Sequence, residues 1–413
     1  MGLAACFIGG FIEVLGAFAG KWIVKITPTA ALLGNLASGA VVWLSLVSML
    51  NIFDQPLISL LSLIVILVTF LSKLRLPFGI PAGVVGVMLS VAIAWLSGNM
   101  DFSALSSAFT NVSPAPPQPA IMDIFHGMKK VLPFLPVVLP LQISNFICTL
   151  QGCESARKAG DNYPVRRSMI VDGAGTLIGS IFGCPFPTTV YYGHPGWKSI
   201  GARAGYSVIN AAVYAVLCFG GLMGIIVNVI PYTAVMPILV FVGLVSAAQA
   251  VKVSPRRHLP AVFLSLIPIV AQYLATAIDA ALQAAGTGIE QLGYRAFEVA
   301  AFPVGGVYAL SQGALLTSLF LAVWTCFVID RRFIAAAVTS LALAFASATG
   351  FTHAPALGFL PQSSRVFAAI YLVASLICLL LYFIRNSRFF EKQSEEKDEI
   401  SENEDTSFER VAE

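Results

Sequence analysis

The sequence predicts an all-α, polytopic membrane protein, and three observations carry that expectation. Hydrophobic residues make up 57% of the 413-residue chain and charged residues only 11%. The mean hydropathy of +0.84 lies far outside the range of soluble globular domains. Apolar runs of about 20 residues recur between short polar breaks, each long enough to cross about 30 Å of hydrocarbon as a helix.

Taken in order, the predicted spans are 2–24, 28–50, 55–73, 80–98, 131–152, 168–183, 204–229, 232–251, 259–284, 306–329, 333–350 and 366–384. The first ends at the basic residues Lys21 and Lys25, NIFD at 51–54 divides the second from the third, and THAPALGFLPQ at 352–362 divides the last two. Residues 99–130, with SPAPPQP, read as an exterior loop ending in a short amphipathic piece, DIFHGMKKV. The closing stretch, FFEKQSEEKDEISENEDTSFERVAE, holds about half of the acidic residues and reads as a disordered, solvated tail. With so much acid in the tail, a net charge of +3 leaves the membrane part distinctly basic in its loops. The 7 cysteines fall mostly within or beside apolar spans and have no metal-ligand spacing with histidine, so they read as small buried hydrophobes.

Lys and Arg set the orientation. The clusters from Lys21 and Lys25, through Arg157, Lys158, Arg166 and Arg167, to Arg331, Arg332, Arg385 and Arg388 all fall on one side once 184–197 counts as a crossing. The positive-inside rule makes that side cytoplasmic, and the C-terminus with it. Lys129, Lys130 and Arg295 depart from the pattern. The same assignment puts Met1 outside with no signal peptide ahead of it, which an odd number of preceding spans would resolve.

Hydrogen-bonding groups buried in lipid are costly unless they are paired or face a cavity. Gln142, Asn145, Gln151, Asp172, Thr188, Thr189 and His194 crowd into one stretch that ends in CPFPTTVYYGHPGW, residues 184–197. Pro185 and Pro187 remove backbone donors, and the β-branched and aromatic run 188–192 suits a short strand. Gly193 and the turn at His194, Pro195 and Gly196 then start a half-helix. Such backbone leaves N–H groups unpaired at membrane depth, which is tolerated only where it lines a cavity or finds a ligand. Singly, each side chain has an ordinary structural explanation, a threonine back-bonding to a carbonyl or Asn145 bonding between helices. Their clustering points to a substrate site. Glu13 is a further intramembrane acid, lining either that site or a neighbouring helix face. No nucleophile, base and orienting group stand at recognisable spacing, which argues against an enzyme.

The run RRSMIVDGAGTLIGSIFGCPFPTTVYYG, preceded by NFICTLQG, resembles the nucleobase/ascorbate transporter family, the xanthine/uracil permeases and their adenine/guanine/hypoxanthine relatives. GGFIEVLGAFAGKWIVKITPTAALLGNLASG is similar to that family's fourth segment and the start of its fifth. The resemblance is good over 130–252, moderate over 5–100 and weak after 286. It implies fourteen segments in two inverted repeats of seven, with 1–26 and 131–229 in a core domain and 27–98 and 230–385 in gate or scaffold segments. By that template the chain begins at the fourth segment, and the strand and half-helix that pair with 184–197 belong to a preceding one. The resemblance also implies a secondary active transporter that moves a nucleobase or similar small polar solute with H+ or Na+ by alternating access. It further implies a homodimer in the plasma membrane, with no cofactor and no nucleic-acid partner.

By the same resemblance Asn145 stands where relatives carry a base-binding Glu or Asp, and a second carboxylate position falls at Tyr192, beside Gly193 and His194. Both acids are absent from this sequence. An amide still offers donor and acceptor to a base's edge, and Asp172 or His194 can take a proton-linked role. The binding candidates are therefore Asn145, Thr188, Thr189, Tyr192, Gly193 and His194, with Asp172, Gln142, Gln151 and Glu13 as coupling or supporting groups. A neutral or anionic solute at the half-helix N-terminus fits equally well. Two other readings stay open. One is a non-transporting relative that acts as an assembly or regulatory partner. The other is an anion transporter of the sulfate/bicarbonate-like group, many of which carry a soluble domain where this chain has a short acidic tail.

Overall fold

In lipid every backbone N–H and C=O must find a partner inside the protein, which favours helices in a chain of this composition. A computed structural model of the chain is 78% helical, with no strand among the described residues. Residues 1–384 are described except 73, 75, 78, 79, 192, 200, 204 and 298–300, so Tyr192 and the acidic tail lie outside the described residues.

The chain opens with α1 (Gly2–Ile26), and Pro28 then caps α2 (Thr29–Gly39). The expected span 28–50 is one rod in which a π-helical stretch over 40–46 joins α2 to α3 (Val47–Asp54). A proline in the first turn starts α4 (Pro56–Leu71), which pairs with α5 (Ala82–Leu96) through Ser62, whose hydroxyl donates to Gly86 O at 2.7 Å. The stretch 99–130 is more ordered than the expected loop. Asp101 caps α6 (Phe102–Thr110) by accepting from the Ser103 N–H at 2.8 Å. The amphipathic piece forms α7 (Ile121–Val131), which runs through one 3-10 turn into α8 (Leu135–Lys158). Next come α9 (Val165–Ile181), α10 (His194–Ser199), α11 (Gly205–Phe219), α12 (Met223–Val229) and α13 (Tyr232–Val253). The remainder comprises α14 (Leu259–Leu264), α15 (Leu266–Ala284), α16 (Ile289–Leu292), α17 (Val304–Ser311), α18 (Ala314–Ile329), α19 (Phe333–Ala348) and α20 (Arg365–Ile384).

Among the described residues 6 helices are long and apolar enough to cross a bilayer, or 8 if each of two bent pairs is one span. The chain is a multi-pass integral membrane protein. Three expectations are corrected. Of the strand expected at 188–192, the described residues 188–191 form none: a strand needs a partner to complete its ladder, and no strand exists among the described residues. The half-helix does form, as α10. The span 204–229 is two helices, α11 and α12, bent by 104°. Gly221 turns the chain there at φ 69°, and the Ala115 N–H takes the freed Phe219 carbonyl at 2.9 Å. Likewise 306–329 is α17 and α18, bent by 85°. Gly313 takes φ 71°, and the His353 N–H donates to Gln312 O at 2.9 Å, so the segment after α19 fills that break.

Two neighbourhoods of packing position the polar cluster. In one, α1 lies against α8 and α9; in the other, α13 covers α2 to α5, and α18 returns to α2. Small residues let α1 meet α9 at backbone distance: a Cβ on Gly10 would stand 3.0 Å from Gly173 O, and one on Gly173 2.9 Å from Gly10 O. Ala17, Leu32, Leu150, Met169, Val262 and Leu316 form the buried core where the two neighbourhoods join.

Candidate functional site

Helical spacing aligns Gln142, Asn145 and Thr149 on the face of α8 that meets α1 and α9. Opposite them on α1 stands Glu13, 1% exposed. Its Oε2 lies 3.4 Å from Asn145 Nδ2, which also donates to Thr188 O at 3.1 Å. Its Oε1 is buried without a hydrogen-bond partner. The Asp172 carboxyl of α9 is a neighbour of the Glu13 carboxyl, with the Thr149 hydroxyl beside both. That hydroxyl donates to Asp172 Oδ2 at 2.8 Å. Because a hydroxyl has one proton, Thr189 Oγ1, 3.2 Å away, is the donor to Thr149.

The non-helical segment 184–191 is tied down by side chains in place of a ladder. The Thr188 N–H donates to Thr176 Oγ1 at 2.9 Å, and the Thr188 hydroxyl donates to Asp172 O at 2.8 Å. Thr176 therefore donates its own proton back to Thr188 Oγ1, at 2.8 Å. Glu13, Asn145, Asp172, Thr188 and Thr189 thus belong to one network. Among the described residues no Lys, Arg or His forms an ion pair with Glu13 or Asp172.

The other candidates are elsewhere. Gln142 borders the Glu13 end, where its Oε1 presses on Gly9 and is buried without a partner. Gln151 points away, donating at 2.5 Å to Asn35 Oδ1, while Asn35 donates to Leu315 O at 2.9 Å. That chain of amides bridges α8 to α2 and α18. The Gly193 carbonyl accepts from the Gly196 N–H at 3.0 Å and so starts α10. His194 joins a different cluster: its Nε2 is 2.7 Å from Asp161 Oδ2 and its Nδ1 3.1 Å from Tyr206 Oη. Lys198 Nζ also reaches Asp161 Oδ2, at 2.8 Å. Lys198 and then His194 hold the Asp161 carboxyl below the usual carboxylate range. Thr149 and Thr176 escaped the sequence reading although each lies one helical turn after a candidate, Thr149 after Asn145 and Thr176 after Asp172.

Two recesses border the elements described above, and one of them touches the network. A wide-mouthed one of about 530 Å³ is lined by Asp172, Thr188, Arg167, Ser168 and Gly175. An apolar one of about 270 Å³ lies where α4, α5 and α13 face α10, lined by Phe70, Met88, Trp197 and Phe241. The first is the chemically relevant one, because it alone reaches an acid of the network. Among the described residues no group of three His, Cys, Asp or Glu side chains could hold a metal ion. No protein-family model matches the chain, and no curated protein matches its sequence.

Proposed function

We propose that this chain is a secondary active transporter that moves a nucleobase or a similar small polar solute together with H+ or Na+. The observation that carries the reading is the network of Glu13, Asn145, Thr149, Asp172, Thr188 and Thr189 around non-helical backbone, buried at Glu13 and Thr149 and open at Thr188 and Thr189, with two acids and no basic ion-pair partner among the described residues. Acids inside a membrane mark ion or solute paths, and two carboxyls with hydroxyl neighbours suit a proton or a hard cation. Thr188 and Asp172 line the recess, and Asn145 stands behind them bonded to Thr188 O, so a base's donors and acceptors can pair with hydroxyl, carboxyl and amide groups there. Two carboxyls here disfavour an anionic solute. The α1, α8 and α9 group is the element that rocks against α2 to α5 and α13. The inverted repeat, the homodimer, the plasma membrane and a cytoplasmic C-terminus belong to the same proposal.

Radiolabelled uptake of uracil, xanthine, hypoxanthine and adenine by transporter-deficient cells making the full chain tests it. Saturable uptake of at least one base is expected, with Asn145→Ala abolishing it at unchanged membrane abundance. Uptake of none by correctly inserted protein, or uptake indifferent to Asn145→Ala, would overturn the reading.

A further inference from the structure

Away from that network, four inter-element junctions enclose a recess of about 330 Å³ at helix ends on the side that the positive-inside rule predicts to be cytoplasmic. Lys25 comes from the last turn of α1, Lys158 from the last turn of α8, His258 from the turn before α14, and Asp330 and Arg332 from the turn between α18 and α19. Its charges do not balance. Asp330 Oδ1 already has two partners, His258 Nε2 at 2.8 Å and Arg257 Nη2 at 3.2 Å. The nearby Glu154 is taken by Arg157 through Oε1 at 2.6 Å and Oε2 at 2.7 Å. Among the described residues Lys25, Lys158 and Arg332 form no ion pair at all, and Arg332 has only the Phe327 ring at 4.9 Å.

Local helix electrostatics accounts for part of this arrangement. Lysines in the last turns of α1 and α8 complement the negative ends of those helices. Arg332 does not fit that explanation, because it is the N-cap of α19, where the dipole disfavours a cation. Three cations without an ion-pair partner line one concavity; all are exposed, so water weakens their repulsion without removing it, and a bound anion relieves what is left. A phosphate suits the donors: two ammonium groups act as point charges and a guanidinium can bind two oxygens at once. Basic recesses between membrane helices on this side bind anionic headgroups.

We propose that Lys25, Lys158 and Arg332 form a binding site for a phosphate-bearing anion, either a lipid headgroup or a free phosphate compound. The site draws residues from both packing neighbourhoods, α1 and α8 on one hand and the α13–α14 and α18–α19 turns on the other, so its occupant links them. It is independent of the transport reading.

The test uses the purified full chain, delipidated in an uncharged detergent, with thermal unfolding as readout. Short-chain phosphatidic acid and inorganic phosphate are titrated separately, with phosphocholine as the zwitterionic control. A saturable rise in Tm is expected with phosphatidic acid but not with phosphocholine. Each of Lys25→Gln, Lys158→Gln and Arg332→Gln should raise the half-saturating concentration by about tenfold, as expected for one lost charge-assisted bond. Lys129→Gln with Lys130→Gln, a basic pair outside the recess, should leave it unchanged. An equal response to inorganic phosphate makes the occupant a free phosphate compound, and a response to the lipid alone makes it a headgroup. No response to either, or a response that all three single variants share with the unaltered chain, overturns the site.

Discussion

Thr149 concentrates the chemistry of the polar network in one hydroxyl, donating to Asp172 and accepting from Thr189. Thr149→Val keeps the shape and removes both bonds. Interhelical hydrogen bonds in bilayers average about 0.6 kcal/mol, so the variant should melt only slightly lower while uptake falls several-fold. Melting and uptake measured on the same preparation check this, and undiminished uptake would confine Thr149 to packing. At the membrane edge, the Asp161 contact with Lys198 and His194 should depend on pH. Since the folded-state pKa of Asp161 is depressed, its contribution is complete above the unfolded value of about 3.9 and is lost as pH falls through the folded one. Hydrogen exchange in 159–164, corrected for intrinsic rate, should quicken on strong acidification, and Asp161→Asn should show the quick rate throughout. Residue types revealed much here. Asn145, Thr188, Thr189 and Asp172 are conspicuous as polar groups in apolar sequence, and they do meet. His194 is equally conspicuous but bonds to Asp161, because its polar partners lie in the loop after α8 and in α11.

Helix positions follow from hydropathy, whereas helix breaks do not. Both bent pairs were legible as continuous apolar runs, and their bends depend on remote segments that take up the freed carbonyls, Ala115 on Phe219 and His353 on Gln312. The strand failed for the opposite reason. Its composition was suitable, but a ladder is a property of two segments and cannot be read from one. The α1–α9 crossing gives a prediction at this scale. Gly173→Leu inserts a side chain where a Cβ alone would stand 2.7 Å from Val14 Cγ2, so α1 must move off α9 and carry Glu13 from Asp172. Such overpacking costs about 1–3 kcal/mol. The variant should melt clearly lower and lose uptake, and Gly179→Leu, nearest to Cys184 at 3.7 Å, should be much milder. Equal melting points for the two would contradict the close crossing.

Across the whole molecule, the two packing neighbourhoods are tied by polar bonds, the buried one from Gln151 to Asn35 and the half-buried one from the Ser155 hydroxyl to Gln249 Oε1 at 2.9 Å. If one group rocks against the other during transport, these bonds break in each cycle. Bridging Ser155→Cys and Gln249→Cys with Hg2+ should stop uptake reversibly, with recovery after thiol addition, and continued uptake by the bridged protein would exclude that motion. Sequence alone determined the membrane class, the positions of most helices and the region where polar groups gather, because hydropathy and composition act locally along the chain. It did not determine which polar groups meet. Glu13 and Asn145 are 132 positions apart, and their contact depends on how α1 is rotated against α8. That rotation is set by where small residues allow backbones to close, which only the packed tertiary structure decides.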